Sequence, residues 1–371
     1  MSGYLKEMSL ETPDFLSDLA SLKKRIVDSG FTVRPHRVAL QWLMLVGLSL
    51  GTLGWLVTSH SLSAQIPLFF VSCFALISAG TAAHTASHGA LSSKKWVNRF
   101  AVYVTYPLIF GMSARYWHRS HIEIHHPAPN VLENDDDCDL RPVFAIHQTH
   151  HQQAGTLRRW FYRFQVLLLV VLIPANGFNI QRQGWQALVK ELGDPRRRKM
   201  HTWADLACMV AHWGLWLAIP MFFFPLQSVV VLYLLRTSFM GILLFVVLAP
   251  GHYPAEAQCL SATAQLKGTF FLRQAACTVN FRTGLLGGIL CSGLQYQIEH
   301  HLFPGLSHIH YAKLSPHLTA LCARHGIPHR TLGWGEAIYK SFRVFVYPKV
   351  VIDDVRDLER GTAPTLSPAS P

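Results

Sequence analysis

The chain has 371 residues, half of them apolar and only 15% charged, and carries a formal net charge of +12. That is too apolar for an ordinary soluble enzyme of this length. Its seven cysteines are scattered with no C-x-x-C pair, which excludes a disulfide frame or a zinc ribbon and reads as reduced, structural thiols.

Residues 1–11 carry no structural signal. Thr12 is placed to cap a helix that begins at Pro13 and stops at Gly30. Phe15, Leu19, Leu22 and Ile26 share one face of it, giving a short amphipathic helix for the membrane surface or for the body of the protein. Four apolar runs follow, residues 38–57, 66–83, 206–224 and 229–249, each close to the ~20 residues that cross a bilayer. Two others, 97–112 and 164–174, are short and flanked by arginine. They read as interfacial or re-entrant pieces, the second ended by Pro174. The connections 58–65 and 225–228 hold no Lys or Arg, whereas residues 23–37 and 84–203 hold many, so both termini and the long central stretch are expected in the cytoplasm. The basic face either attracts anionic lipid head groups or an acidic redox partner, or is only this topology signal; no nucleic-acid partner is expected.

The expected fold is therefore all-α and integral to a membrane, with about four transmembrane helices, interfacial helices and a cytoplasmic helical cap. It divides into an N-terminal amphipathic helix (1–34), a membrane domain (35–325) and a C-terminal cytoplasmic tail (326–371). The last stretch of the tail, GTAPTLSPASP at 361–371, has the composition of a disordered segment.

Histidine is the unusual residue: there are 21, as many as Asp and Glu together. His84 and His88 (HTASH) directly follow the second apolar run, and their spacing of four puts both rings on one helix face. WHRSHIEIHHPAPN holds His118, His121, His125 and His126, with His121 and His125 again four apart. QYQIEHHLFP holds Gln297, His300 and His301. Adjacent helical residues point about 100° apart, so the doublets His125–His126 and His300–His301 suit a site with two metals, each ring reaching a different ion. Imidazole suits iron, zinc, copper or nickel, but seven or more histidines exceed the needs of one tetrahedral zinc. Two metals with open positions fit better, and iron is the one that activates dioxygen beside a bilayer substrate.

These segments resemble the membrane fatty-acid desaturase family, in its acyl-lipid and front-end branch. HTASHGA resembles the first histidine box of that family, HIEIHHPAPNVLENDDDCDL the second, and NFRTGLLGGILCSGLQYQIEHHLFPGLSHIHY the third, with Gln297 where other branches have His. The resemblance covers roughly residues 35 to 325. It implies a non-haem di-iron centre, dioxygen as co-substrate, four spans, all boxes on the cytoplasmic side, and a further ligand, His252, at the end of the fourth span. The expected ligands are thus His84, His88, His121, His125, His126, His252, Gln297, His300 and His301. Glu123, Asp139 and Glu299 are expected behind them, accepting the second ring N–H; Asp135, Asp136 and Asp137 are either further such acceptors or a solvated acidic loop. Many front-end members carry a fused cytochrome-b5 domain; the roughly 35 residues before the first span are too few for one, so electrons are expected from a separate ferredoxin or cytochrome-b5 type carrier.

Other polar residues draw blander readings. His118 is expected at the surface or behind the ligands, and His147, His150 and His151 (HQTHH) at the surface. His212 and Arg236 lie inside apolar runs; the first is read as neutral and hydrogen-bonded, the second as snorkelling or facing a bundle cavity. The expected reaction inserts a cis double bond into the acyl chain of a lipid or thioester. A hydroxylase or ketolase on the same scaffold is one rival, and a non-redox membrane protein with structural zinc is another.

Overall fold

The computed structural model describes residues 12–267 and 270–353; the polar segment 361–371 lies outside the described residues. Helix α1, Pro13–Asp28, is capped by Thr12, whose Oγ1 accepts from the Phe15 amide at 3.2 Å, and ends at Gly30 with φ +69°. Its apolar face does not lie on a membrane. Phe15, Leu22 and Ile26 are buried against Phe271, Leu318 and Leu321, and Asp18 pairs with Arg324 and His325.

Among the described residues, four helices are long and apolar enough to cross a membrane. They are α2 (His36–Thr58), α3 (Leu62–Ser87), α6 (Met200–Trp213, continued by a π-turn and a 3-10 turn to Phe222) and α7 (Leu226–His252), with α4 (Lys95–Tyr103) and α5 (Gln165–Gly193) between α3 and α6. Helix α3 is the central one. Ala75, Ala79, Ala82, Ala83 and Ala86 are buried along it, and such small side chains let neighbouring backbones approach closely.

The two short apolar stretches behave differently from each other. Residues 97–112 form α4 (Lys95–Tyr103) and a π-helical turn, Val104–Phe110, which stops at Gly111 with φ +71°. The carbonyls of Leu108, Ile109 and Phe110 at its end are satisfied by His212, Trp216, Arg236 and Gln181, all from apolar helices. His212 also bonds the Tyr233 hydroxyl at 2.8 Å, and Arg236 lies over the Trp216 ring at 3.8 Å, facing the interior. Residues 164–174, by contrast, are not ended by Pro174. They open α5, which runs through the proline from Gln165 to Gly193. Packing overrides the local break: a Cβ at Gly177 would stand 2.2 Å from the Thr237 carbonyl of α7, so only glycine admits this crossing. Helix α5 meets the preceding helix Thr156–Tyr162 at a 72° bend.

The remainder forms a cap over one end of the bundle, built from α8 (Gln297–Leu302), α9 (Tyr311–Arg324), α10 (Trp334–Arg343) and four very short strands, β1 (Cys259–Leu260), β2 (Asn280–Arg282), β3 (Thr331–Gly333) and β4 (Val351–Ile352). Strand β2 pairs in parallel with β3 and β1 with β4. Residues 331–352, expected within a tail, are therefore folded into the body, with Val344, Phe345 and Lys349 buried.

Candidate metal centre

Helices α3 and α7 point their C-terminal ends into the cap, where the partial negative charge of the last carbonyls favours cations. His84 and His88 sit at the end of α3, and His252 is the last residue of α7. The second histidine segment forms a π-helical turn, His118–His125, in which the amide of His126 bonds the carbonyl of His121, five residues back, at 3.0 Å. That wider turn brings the His126 ring to 4.7 Å from that of His121, closer than the His125 ring at 5.3 Å, while His125 also faces His252 and His301. A regular α-helix, as the four-residue spacing suggests, pairs His121 with His125 instead. In α8 the doublet divides the same way, as expected.

Three groups of donors result, the third and smallest formed by His121, His125 and the exposed Asp137. Ligand atoms of His84, His88, His121, His126 and His300 all lie within 4.8 Å of one another, and so do those of His125, His252 and His301. Within the first, Nε2 of His121 is 2.7 Å from that of His84 and 3.1 Å from that of His126, whose Nε2 is 3.0 Å from that of His300. A neutral imidazole has one donor and one acceptor nitrogen, so a chain of converging Nε2 atoms is better satisfied by a shared cation than by protons. Nε2 of His88 and His301, Nδ1 of His252 and Oε1 of Gln297 are buried without any hydrogen-bond partner, which the same cations also explain. Gln297 packs beside His252, its Cγ 2.4 Å from where a Cβ at Gly251 would stand. Burial holds His121, His126, His300 and His301 well below the ordinary imidazole range and His88 down to about 3, keeping the rings neutral as metal ligands must be.

The far side of each ring is also held. Nδ1 of His125 bonds Oδ2 of Asp135 at 2.9 Å, and that carboxylate also accepts from the amides of Asn130 and Asp137. Burial pushes His125 down, but the Asp135 charge and hydrogen bond outweigh it and raise the ring to about 9, so a metal at Nε2 must displace a proton there while Asp135 keeps the one on Nδ1. Nδ1 of His301 bonds Oε1 of Gln274 at 2.9 Å, Gln274 donating in turn to the His126 carbonyl, and Nδ1 of His300 lies 3.3 Å from the Tyr311 hydroxyl. Trp117 stacks on His121 at 4.3 Å. Asn130, at φ +54°, donates to the carbonyls of His252 and Cys277, and Lys349 donates to those of His252 and Ala257.

The three acidic residues expected behind the ligands do not occupy that place. Glu123 is exposed and pairs with His118, itself at the surface. Asp139 is held by Arg141. Glu299 is fully buried but accepts from Asn280 and His329. Each is turned outward or committed to another donor, and Asp135, Gln274 and Tyr311 do the work instead. His147 and His150 are buried, contrary to expectation, because the chain at 146–148 bonds the buried segment at Lys349. All seven cysteines are free, as expected, and all but Cys208 are buried.

The sequence from 59 to 333 matches the fatty acid desaturase family. The chain belongs to that family. Among its similar relatives, this desaturase-family chain is 27% identical to a Delta(8)-fatty-acid desaturase of Arabidopsis thaliana, over 68% of its own length and 57% of the plant protein. It is 25% identical to a Delta(5) fatty acid desaturase of Caenorhabditis elegans, over 82% of its length and 64% of the nematode protein. It is also 27% identical to an acyl-lipid (8-3)-desaturase of Thraustochytrium sp, over 88% and 72%. The desaturase-family chain thus spans about three-fifths of the first two of these proteins. A metal cofactor fits both the family and the histidine groups.

Proposed function

We propose that the protein is an acyl desaturase that inserts a cis double bond into a lipid-linked or thioester-linked chain. The observation that carries this reading is the set of eight histidines, six of them buried, in two adjoining groups at the ends of α3 and α7. In it, one iron would be held by His84, His88, His121, His126 and His300, and the other by His125, His252 and His301 with Gln297 beside them. When bound, the iron pair supplies dioxygen activation and the oxidising power that removes two hydrogens from adjacent methylenes. Electrons come from a ferredoxin or cytochrome-b5 type carrier.

The residues of the chain do the rest. Asp135, Gln274 and Tyr311 engage Nδ1 of His125, His301 and His300 and so leave Nε2 for the metals. Trp117 and the buried rings keep bulk water from the centre. A cavity of about 840 Å³ reaches His88 and Trp117, and its lining includes Arg34, Lys95, Arg99 and Arg115. That basic rim suits the polar, anionic end of an acyl carrier, with the apolar helices receiving the chain. The protein crosses the membrane four times with the cap in the cytoplasm, supported by the lysine- and arginine-free connections on the opposite side.

The test is expression in a lipid-rich host with a working electron donor, followed by mass analysis of total acyl chains beside a His301→Ala control. A species lacking two hydrogens, absent from the control, is expected. A species gaining one oxygen moves the assignment to a hydroxylase. Protein without bound iron and without either product refutes both.

A further inference from the structure

The cavity that reaches His88 has a smaller neighbour, whose lining includes none of the candidate metal ligands. It is a cleft of about 460 Å³ between the turn that carries Arg119 and Glu123, the end of α5 and the 196–201 connection into α6. Arg115, Arg119, Lys190, Arg196, Arg197 and Lys199 face it, against only Glu123 and Glu191. Glu191 is taken by Arg115 at 3.3 Å and Glu123 by His118 at 3.1 Å, while Arg197 pairs with Asp194. Arg119, Lys190, Arg196 and Lys199 are exposed, and none of the four has a carboxylate partner among the described residues. A concavity lined by one sign of charge focuses its field and draws in ligands of the opposite sign. The remaining lining is Tyr116, Ala187 and His201, so no apolar wall is present to receive an acyl chain.

The position of the cleft in the fold gives it a use. Arg115, Tyr116, Arg119 and Glu123 face it from the same segment, 114–125, that presents Trp117, His121 and His125 to the histidine groups. A helical turn with its side chains is about 10–12 Å across, and that is the thickness of protein between the cleft and the His121 side. Trp117 lies on the way, its ring stacked on that of His121 at 4.3 Å and 17°. The larger cavity shares only Arg115 and His201 with the cleft, so an acyl substrate in one leaves the other open.

We propose that this cleft is the docking surface for the acidic face of a one-electron carrier protein, an inference that rests on the desaturase reading and adds where its electrons enter. Arg119, Lys190, Arg196 and Lys199 pair with carboxylates of the carrier, and the electron crosses the 114–125 segment past Trp117 towards His121. Each encounter oxidises the carrier by one electron and delivers that electron to the metal centre; no bond is made or broken, and Trp117 is left unchanged. Two encounters, two protons from water and the two hydrogens taken from the chain together reduce one dioxygen to two waters.

The test uses the full chain in nanodiscs of zwitterionic lipid, with soluble cytochrome b5 and a [2Fe–2S] ferredoxin as the carriers offered, and binding read by biolayer interferometry with and without bound iron. At least one carrier is expected to bind, with an affinity that falls steeply as salt rises from about 0.05 to about 0.5 M. Arg119→Glu/Arg196→Glu is expected to weaken that binding about tenfold or more, and the neutral pair Arg119→Gln/Arg196→Gln by an intermediate factor. Lys24→Glu, at an exposed position on α1, leaves it unchanged. In iron-loaded protein the charge-reversed pair slows oxidation of the reduced carrier by a similar factor, while reduction by dithionite keeps its rate. Binding of neither carrier, or an equal loss in Lys24→Glu, overturns the proposal. Phosphatidylglycerol retained by the unaltered protein and lost from the charge-reversed pair in native mass spectrometry, with carrier binding unchanged, also overturns it and gives the cleft to a lipid headgroup. Binding is read without iron as well, so failure here is distinct from failure of the desaturase reading, which iron content and acyl products decide.

Discussion

Replacing Asp135 by Asn isolates the hydrogen bond that orients His125. In the native protein, Oδ2 accepts from His125 Nδ1 at 2.9 Å and from the Asn130 amide at 2.8 Å, while Oδ1 accepts from the Asp137 amide at 3.1 Å. An asparagine keeps only one oxygen. If that oxygen faces His125, the new amide opposes the Asp137 N–H in a site that is 1% exposed, and two donors confront each other without water; the reverse orientation deprives His125 itself. Loss of a ring-orienting partner lowers metal affinity by about 10–100-fold, or roughly 1.4–2.7 kcal/mol. The assay is metal content after dialysis against graded chelator, for Asp135→Asn, the unaltered protein and Glu123→Gln. The midpoint is expected to fall by one to two decades for the first only. Equal midpoints for Asp135→Asn and unaltered protein, or an equal fall in Glu123→Gln, refute the reasoning.

Three further outcomes are expected. Gly177→Ala forces a methyl to 2.2 Å from the Thr237 carbonyl, so the α5–α7 crossing opens and thermal stability falls by about 1–3 kcal/mol, measured by thermal unfolding in detergent. Asn130→Ala loses the bonds to the His252 and Cys277 carbonyls and is strained at φ +54°; Asn130→Gly loses the bonds but not the strain, so the alanine variant is expected to be the less stable by about 1 kcal/mol. Asp18 is held below its ordinary value of 3.8 by hydrogen bonds from His325 and Arg324. A depressed carboxylate stabilises above its ordinary value and ceases to do so as pH falls through the lowered one. Protease protection of α1 is therefore expected to drop in Asp18→Asn at neutral pH and to match the unaltered protein in strong acid.

The sequence was most informative where one residue type or one period dominates. Four apolar runs, the Thr12 cap, the Gly30 stop and the split of His300 from His301 follow from composition, cap chemistry and the angle between helical neighbours. The pairing of His121 with His126 was hidden because a π-turn has the same composition as an α-turn. Asp135 could not be told from its acidic neighbours, since only the turn at Asn130–Cys138 decides which carboxylate reaches His125. Gln274 and Lys349 come from segments with no local mark, although a glutamine in the apolar stretch FFLRQAAC was a usable signal. HQTHH reads as polar surface until β4 covers it, which is a contact between segments some two hundred residues apart.

The carbonyl of His252 is held by a side chain nearly a hundred positions downstream, at Lys349. On the ribosome, the first histidines reach the translocon early, while this last brace is still untranslated. The metal centre thus cannot be finished in step with synthesis. Helices are threaded first, the cap closes afterwards, and cofactor loading becomes a maturation step performed on protein already resident in its membrane. A cell short of the metal would then accumulate inserted, empty protein rather than less of it.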